Sequence, residues 1–408
     1  MNLARRIALS FAMLGFMVAG AVAGGFQLNE HGARAMAQGD AFAARATDGS
    51  AIYFNPAGLA FQDNISLYAG ATVIIPTSSF YGPVQDNTNA RTQAPGQFFY
   101  PINFYLTGPA TDAFHVGIGV YNPYGLGSKW PNDWSGRFLT TNVQLQTYFI
   151  TPTVSYKILD NLSVGAGFSY VTGSVTVDRA VAIPVQGTGS DPRVSLDLTG
   201  HGYAWDIGAQ YKITPKLSVG ASYRSSAKID ANGSATFTPN YGVLNFPEGG
   251  VSTSITLPAT AFAGVAYKVL ANLEIEADYQ FIGWSSYDKL EFDFNADGSK
   301  SSQPKNYSDT YILRIGGEYT MGDLHLRGGY YYDHTPVSSQ YVDPILPDAN
   351  RNGITFGFGY NLTDQFSIDA SYMFLKFDER QAINTDLGFD GTYHTYVNLV
   401  GLDLAYTF

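Results

Sequence analysis

Gly401-Leu402-Asp403-Leu404-Ala405-Tyr406-Thr407-Phe408 closes the chain, and its residues alternate without a break. In an extended strand successive side chains point to opposite faces. Leu402, Leu404, Tyr406 and Phe408 therefore share one face, and Gly401, Asp403, Ala405 and Thr407 the other. The preceding strands repeat the pattern. Phe366, Ile368, Ala370, Tyr372 and Phe374 alternate with Ser367, Asp369, Ser371 and Met373. Ile354, Phe356, Phe358 and Tyr360 alternate with Thr355, Gly357, Gly359 and Asn361. A soluble sandwich also alternates. The aromatic load of the apolar phase favours a wall that faces lipid, with girdles at the two interfaces.

Working back from this end, alternating segments of about ten residues run to the vicinity of residue 64. We read about fourteen, near 64–75, 98–107, 114–121, 144–158, 162–179, 194–212, 217–230, 251–269, 273–288, 309–320, 324–333, 353–362, 366–378 and 393–408. The links between them alternate in length. Asp160-Asn161, Thr214-Pro215-Lys216, Ala271-Asn272, Met321-Gly322-Asp323 and Thr363-Asp364-Gln365 are short. The intervening stretches 76–97, 122–143, 231–250, 289–308, 334–352 and 379–392 are long. Outer-membrane barrels have short periplasmic turns and long outer loops. The expectation is an all-β transmembrane antiparallel barrel over 63–408.

Composition agrees. Among 408 residues only 14% are charged, while there are 29 Tyr, 27 Phe and 44 Gly. A helical membrane protein would need apolar runs of about 20 residues. The first 23 residues are a separate matter: Arg5 and Arg6 precede an apolar run from Ile7 to Ala21, and Ala21-Val22-Ala23 offers a small-residue cleavage site. This reads as a secretory signal peptide cut near Ala23. Its removal takes both arginines and lowers the net charge of −11 by two. So acidic a chain is unsuited to nucleic acid, which is held by Lys and Arg on phosphates. Cysteine is absent, which excludes thiol chemistry and suits the periplasm.

Residues 24–62 do not alternate. Their Ala/Gly-rich middle, Ala33 to Ala46, suits one or two short helices, and Asn55-Pro56-Ala57-Gly58 is turn chemistry. A segment of this size has too little apolar surface to fold alone. A barrel lumen is the natural host, and the segment is expected to plug it.

Gly25-Phe26-Gln27-Leu28-Asn29-Glu30, an Ala/Gly-rich stretch and then Asn55-Pro56-Ala57-Gly58, in that order after a signal peptide, resemble the FadL/TodX family. The resemblance implies an outer-membrane channel for hydrophobic compounds, fatty acids or aromatic and aliphatic hydrocarbons, with an N-terminal hatch in a barrel of fourteen strands. It also implies a third strand kinked inward to open the wall. Phe114 to Tyr121 runs straight into Asn122-Pro123-Tyr124-Gly125-Leu126, followed by Trp130, Trp134 and Gly136-Arg137-Phe138, which looks like that region. Proline and glycine there interrupt pairing on any reading. The implied ligand site is Phe26, Gln27, Leu28 and Asn29 with Trp130 and Trp134. The implied lateral gate is Tyr121, Asn122, Pro123, Tyr124 and Gly125.

Catalysis finds no motif. There is no Gly-x-Ser-x-Gly elbow and no His-Glu-x-x-His helix, and the six histidines are scattered. No cofactor or metal is expected. Asp293 to Gly298 and Asp348 to Gly353 begin like calcium loops, but the twelfth positions are Pro304 and Gly359, so both read as outer-loop turns. Glu274, Glu276, Asp278, Arg314, Glu318, His325, Arg327, Asp369 and Asp403 fall on the inward phase and are expected to pair and hold the plug. If the ligand is a fatty acid, Arg314 or Arg327 would meet its carboxylate. Phe80, Tyr81, Trp130, Trp134, Tyr241, Val243, Leu244 and Phe246 put apolar groups in outer loops, as ligand collectors or lipopolysaccharide anchors. The final strand ending on Phe408 resembles the signal read by the barrel assembly machinery. The whole is expected to be a monomer in the bacterial outer membrane that moves hydrophobic molecules inward. A general diffusion porin and an outer-membrane lipase are the alternatives.

Overall fold

The computed structural model describes residues 24–84, 89–182, 191–240, 245–384 and 386–408. The expected export signal and Tyr241, Val243 and Leu244 lie outside those residues. No described helix is long and apolar enough to cross a membrane.

The chain after residue 65 forms fourteen antiparallel staves: β1 Ser66–Tyr81, β2 Ile102–Pro109, β3 Phe114–Tyr121 and, beyond a kink, Gly125–Lys129, β4 Asn142–Leu159, β5 Leu162–Ala180, β6 Arg193–Thr214, β7 Leu217–Arg224 and Ala227–Thr238, β8 Gly249–Leu257 and Thr260–Leu270, β9 Leu273–Ile282, β10 Thr310–Met321, β11 Leu324–Asp333, β12 Arg351–Asn361, β13 Phe366–Phe377 and β14 Gly391–Thr407. Each pairs with its sequence neighbours, and β14 closes on β1 from Ser66↔Thr407 to Tyr81↔Thr392. Closure matters because a strand edge facing hydrocarbon would leave backbone N–H and C=O groups without partners.

The alternation has the expected phase. Leu402 is 52% exposed and Asp403 only 1%, and Phe356 is exposed to lipid while Thr355 is buried. Four expected strands differ. The first, expected over 64–75, runs on to Tyr81, so Phe80 and Tyr81 belong to β1 and not to a loop. The seventh is interrupted between Arg224 and Ala227, and the eighth between Leu257 and Thr260, where Pro258 cannot donate to the ladder. The ninth, expected to reach residue 288, stops at Ile282, where Gly283 leads into a 3-10 turn at Trp284–Ser286.

Residues 24–62 lie inside the barrel. They contain two single-turn helices, α1 Ala33–Met36 and α2 Ala51–Phe54, then a 3-10 helix Pro56–Phe61. Isolated turns this short do not persist in water, so the wall holds them. Where Gln38 backbone meets the wall, the residues opposite are Gly316 and Gly329. A Cβ on Gly316 would lie 1.9 Å from the Gln38 carbonyl oxygen, and one on Gly329 would lie 2.3 Å from the Gln38 carbonyl carbon. Only residues without a side chain let two backbones approach so closely.

The outward surface yields a direct test. Ile315 is 50% exposed on β10, midway between Tyr311 and Tyr319 of the same strand. Ile315→Arg puts a charge near the bilayer midplane and should cost about 2–4 kcal/mol. The measurement is urea unfolding of the barrel in lipid vesicles, compared with Met321→Arg on the same outward face at the end of the strand, near the interface, where the loss should be much smaller.

Candidate functional site: the lumen segment and the kink of the third stave

Inward charges hold the N-terminal segment. Asp278 Oδ2 accepts the Phe42 and Ala43 amides at 2.8 and 2.9 Å. Glu276 pairs with Arg45 at 2.9 Å and also accepts the Ala44 amide. Asp403 accepts the Ala33 amide and the Tyr68 hydroxyl, and takes Asn103 Nδ2 at 2.9 Å. Arg34 reaches Glu318 and Asp48 at 3.4 Å each, and Arg327 joins Glu318 to Asp369. The carboxylates therefore cap the backbone donors of a segment too irregular to satisfy them itself. Of the two arginines considered for a ligand carboxylate, Arg327 is engaged in this network. Arg314 lies at the N-terminal end, donating to Asn29 Oδ1 at 2.8 Å.

Asn55-Pro56-Ala57-Gly58 is buried against β4, β5 and β6. Asn55 Oδ1 accepts the Ala57 amide at 3.2 Å as an N-cap, and Pro56 occupies the first helical position. The amide nitrogen of the same side chain donates to Ala43 at 2.8 Å and to Ala209 of β6 at 3.0 Å. One side chain thus joins the helix start, the segment and the wall.

The kink lies where proline and glycine place it. β3 pairs with β2 on one side and β4 on the other as far as Tyr121, the partner of Asn103 and Phe149. Then the backbone leaves the wall. The Asn122 side chain covers the loss by accepting from Ile102 N at 2.9 Å and donating to Thr147 O at 2.6 Å. Gly125–Lys129 rejoins β4 only, from Gly125↔Gln146, and among the described residues no strand pairs with its other edge. The freed backbone has found another partner. Leu28 N donates to Pro123 O at 2.9 Å, Gly125 N donates to Phe26 O at 2.9 Å, and Gln27 bridges Tyr124.

Above this bridge the Phe26 ring is boxed by Trp284 at 4.6 Å, Tyr287 at 5.2 Å and Tyr124 at 6.3 Å. Tyr124 in turn ties across the lumen to Pro258 O at 2.8 Å. Gln27 and Leu28 are buried beside it, and His31, whose imidazole burial pushes down to about 3, lies tilted against the Tyr53 ring as a neutral group. Trp284 and Tyr287 escaped the sequence reading because their stretch was assigned to a wall strand. The signal was there: Gly283 and the Ser285-Ser286 pair break the alternation around Trp284.

Trp130 and Trp134 do not join Phe26, and they are not exposed. They stack on each other at 4.5 Å and pack with Phe80, Phe389 and Tyr393 in a buried outer-loop cluster. Phe80 is likewise buried. These rings pack against one another because bare indole surface in water costs more than burying it. Phe246 does line a cavity of about 290 Å³ among the outer loops, with Leu196, Phe237, Leu290, Phe292 and Phe294, and with Arg179 and Lys300 alongside. At the opposite end, a cavity of about 370 Å³ beneath the segment is lined by Arg34, Asp48, Glu318, Arg327 and Asp369. Asp293 to Gly298 is a hairpin turn, as expected. Asp348 is fully buried and bonded to Arg351 at 2.9 Å, and from Arg351 on its stretch is strand β12 and not the outer-loop turn expected. Among the described residues no group of three or more His, Asp or Glu could hold a metal ion.

Removing a carboxylate anchor should loosen the segment without opening the wall. Asp278→Ala leaves two buried amides without acceptors, at about 1–3 kcal/mol each. We expect raised ion conductance in planar bilayers with unchanged heat-modifiable gel mobility. Asn55→Ala should cost about 0.5–2 kcal/mol at the cap, read as faster hydrogen exchange confined to residues near 55–61.

The sequence profile of the outer membrane protein transport proteins, OMPP1/FadL/TodX, matches residues 15–408. Outer membrane protein P1 of Haemophilus influenzae is 25% identical, covering 83% of this chain and 81% of that protein. A long-chain fatty acid transport protein of Escherichia coli is 24% identical, covering 86% of each. Among solved structures, a Pseudomonas aeruginosa FadL homologue superposes with a TM-score of 0.85 at 23% identity, covering 94% of this chain and 99% of that one. The toluene transporter TodX of Pseudomonas putida shares the fold at a TM-score of 0.73 and 18% identity, covering 93% and 98%. A plugged fourteen-stave barrel with this profile over nearly its whole length belongs to the OMPP1/FadL/TodX family of outer-membrane transport proteins.

Proposed function

We propose that this chain is a channel for the passive inward movement of small hydrophobic molecules, released sideways through the wall at Tyr121 to Gly125. The observation that carries the reading is the exchange of partners at the kink. The third stave gives up its neighbour β2 and takes residues 26–28 of the N-terminal segment instead. The two motions are then one event. A shift of Phe26 to Asn29 frees the pocket and the strand edge together.

The two ends of the lumen support a lateral route over a straight one. The outer cavity is lined mainly by apolar side chains, with Arg179 and Lys300 among them, whereas the cavity beneath the segment is lined by Arg34, Asp48, Glu318, Arg327 and Asp369. An apolar molecule moving straight down would have to displace water from ionised groups, which is costly. Moving sideways it meets hydrocarbon. No energy source is required, since partition down a gradient suffices, and only modest affinity is wanted so that cargo leaves.

Arg179 gives a reason to prefer an anionic amphiphile, such as a long-chain fatty acid, over a bare hydrocarbon. It lines the outer cavity and has no ion-pair partner among the described residues. The buried Trp130–Trp134 pair stiffens the outer loops in this scheme and does not touch cargo.

Restoring pairing with Pro123→Val and Gly125→Val should cut uptake into cells several-fold while gel mobility stays that of a folded barrel. Unchanged uptake in a folded double variant would remove the lateral route. Purification in mild detergent followed by mass spectrometry should recover apolar compounds. Free permeation of small sugars in liposome swelling would favour a general porin instead.

A further inference from the structure

At the outer end of β11 and β12 sits a group of charges that is one cation short. Asp333, Asp348 and Arg351 are all fully buried. Arg351 reaches Asp333 at 3.4 Å and Asp348 at 2.9 Å, so a single guanidinium serves two carboxylates. The other buried charges facing them do not supply the deficit. Arg314 lies among them, but with the two further carboxylates Glu30 and Asp40. Arg380, only part-buried, spends its guanidinium on the Val337 carbonyl. Uncompensated buried carboxylates are expensive, and structures normally pair them.

What does approach them is the start of the N-terminal segment. Gly24 N donates to Asp333 Oδ2 at 3.0 Å, and Gly25 N to Asp348 Oδ2 at 3.3 Å. Asp333 Oδ1 is buried with no hydrogen-bond partner. It lies 2.5 Å from where a Cβ on Gly24 would stand, so this orphaned acceptor is beside Gly24 itself. Neither residue could be larger. A Cβ on Gly25 would lie 2.4 Å from the Trp284 ring, and its φ is +62°. The chain thus threads two glycines between a carboxylate and an indole to bring this nitrogen home.

We propose that the missing cation is the α-ammonium of Gly24, made by signal-peptide cleavage after Ala23 and held by Asp333 and Asp348. Hydrolysis of the Ala23–Gly24 peptide bond consumes one water, leaves a carboxylate on Ala23 and an ammonium on Gly24. One amide N–H becomes three N–H groups, enough for Asp333 Oδ2, for its orphaned Oδ1 and for a third contact. The ion pair pins the chain two residues before Phe26, and so holds that ring in its box. Processing therefore sets the closed state: the segment is locked only once the leader is gone. This goes beyond the transport reading and does not depend on which molecule is carried.

The test uses the mature protein from outer membranes, in detergent. The α-amine is labelled with trace acetic anhydride across a pH series, and the N-terminal peptide is quantified by mass spectrometry. Burial alone slows labelling and lowers the midpoint, whereas an ion pair raises it. An ordinary α-amine titrates at about 7.7–8.0. We expect a midpoint at least about one unit higher, and a fall of about one unit or more in Asp333→Asn and Asp348→Asn, each a tenfold change in free amine. A wild-type midpoint at or below the ordinary range overturns the proposal, so the result stands even where a variant fails to assemble. An N-terminal peptide that does not begin at Gly24 also overturns it, and leaves the transport reading, tested by uptake, untouched.

Discussion

Backbone hydrogen bonding governs this molecule. A chain crossing hydrocarbon has no water to satisfy its N–H and C=O groups, and each one left bare costs several kcal/mol. A closed ladder answers that demand, and β14 pairing with β1 over sixteen registered positions completes it. A transporter that opens sideways must break the same ladder somewhere. Here the break is tolerated because substitutes are supplied on the spot. Asn122 offers a side-chain acceptor to Ile102 and a donor to Thr147, and Phe26 and Leu28 offer backbone.

The N-terminal segment depends on the same arithmetic in reverse. Single-turn helices and loops leave many donors unsatisfied, and wall carboxylates meet them: Asp403 at Ala33, Asp278 at Phe42 and Ala43, Glu276 at Ala44. Each carboxylate is itself buried, and would be costly there if the segment withdrew. The wall and the segment are therefore mutually stabilising, which suits a plug that must stay in place through assembly yet shift locally. The contacts at residues 26–28 differ in kind. They are a few backbone bonds and ring contacts at the segment's end, so this end can move while the middle stays anchored.

Aromatic residues serve three different purposes in the chain, and the sequence alone does not label them. Tyr279, Phe281 and Tyr319 face lipid. Phe26, Tyr124, Trp284 and Tyr287 converge on the lumen. Trp130, Trp134 and Phe80 pack the outer loops together. A strand period of two distinguishes the first group from the rest, because inside and outside alternate. No period distinguishes the second from the third, since both are buried, Phe80 on the inward phase of β1 and the others where strand regularity has ended.

The sequence by itself determined the barrel, the phase of its strands and the inward carboxylates, because a two-residue repeat is a local property that survives any change of register between neighbours. It also marked the kink and the Asn55 turn, since proline and glycine act on their own backbone. Only the tertiary structure decided which distant parts meet. That Phe26 faces Trp284, that Trp130 and Trp134 are covered, that Arg327 is engaged and Arg314 lies by Asn29, and that Gly24 reaches Asp333, all follow from ring closure. Closing the ladder fixes the lumen's width, and that width brings together residues hundreds of positions apart that no local pattern connects.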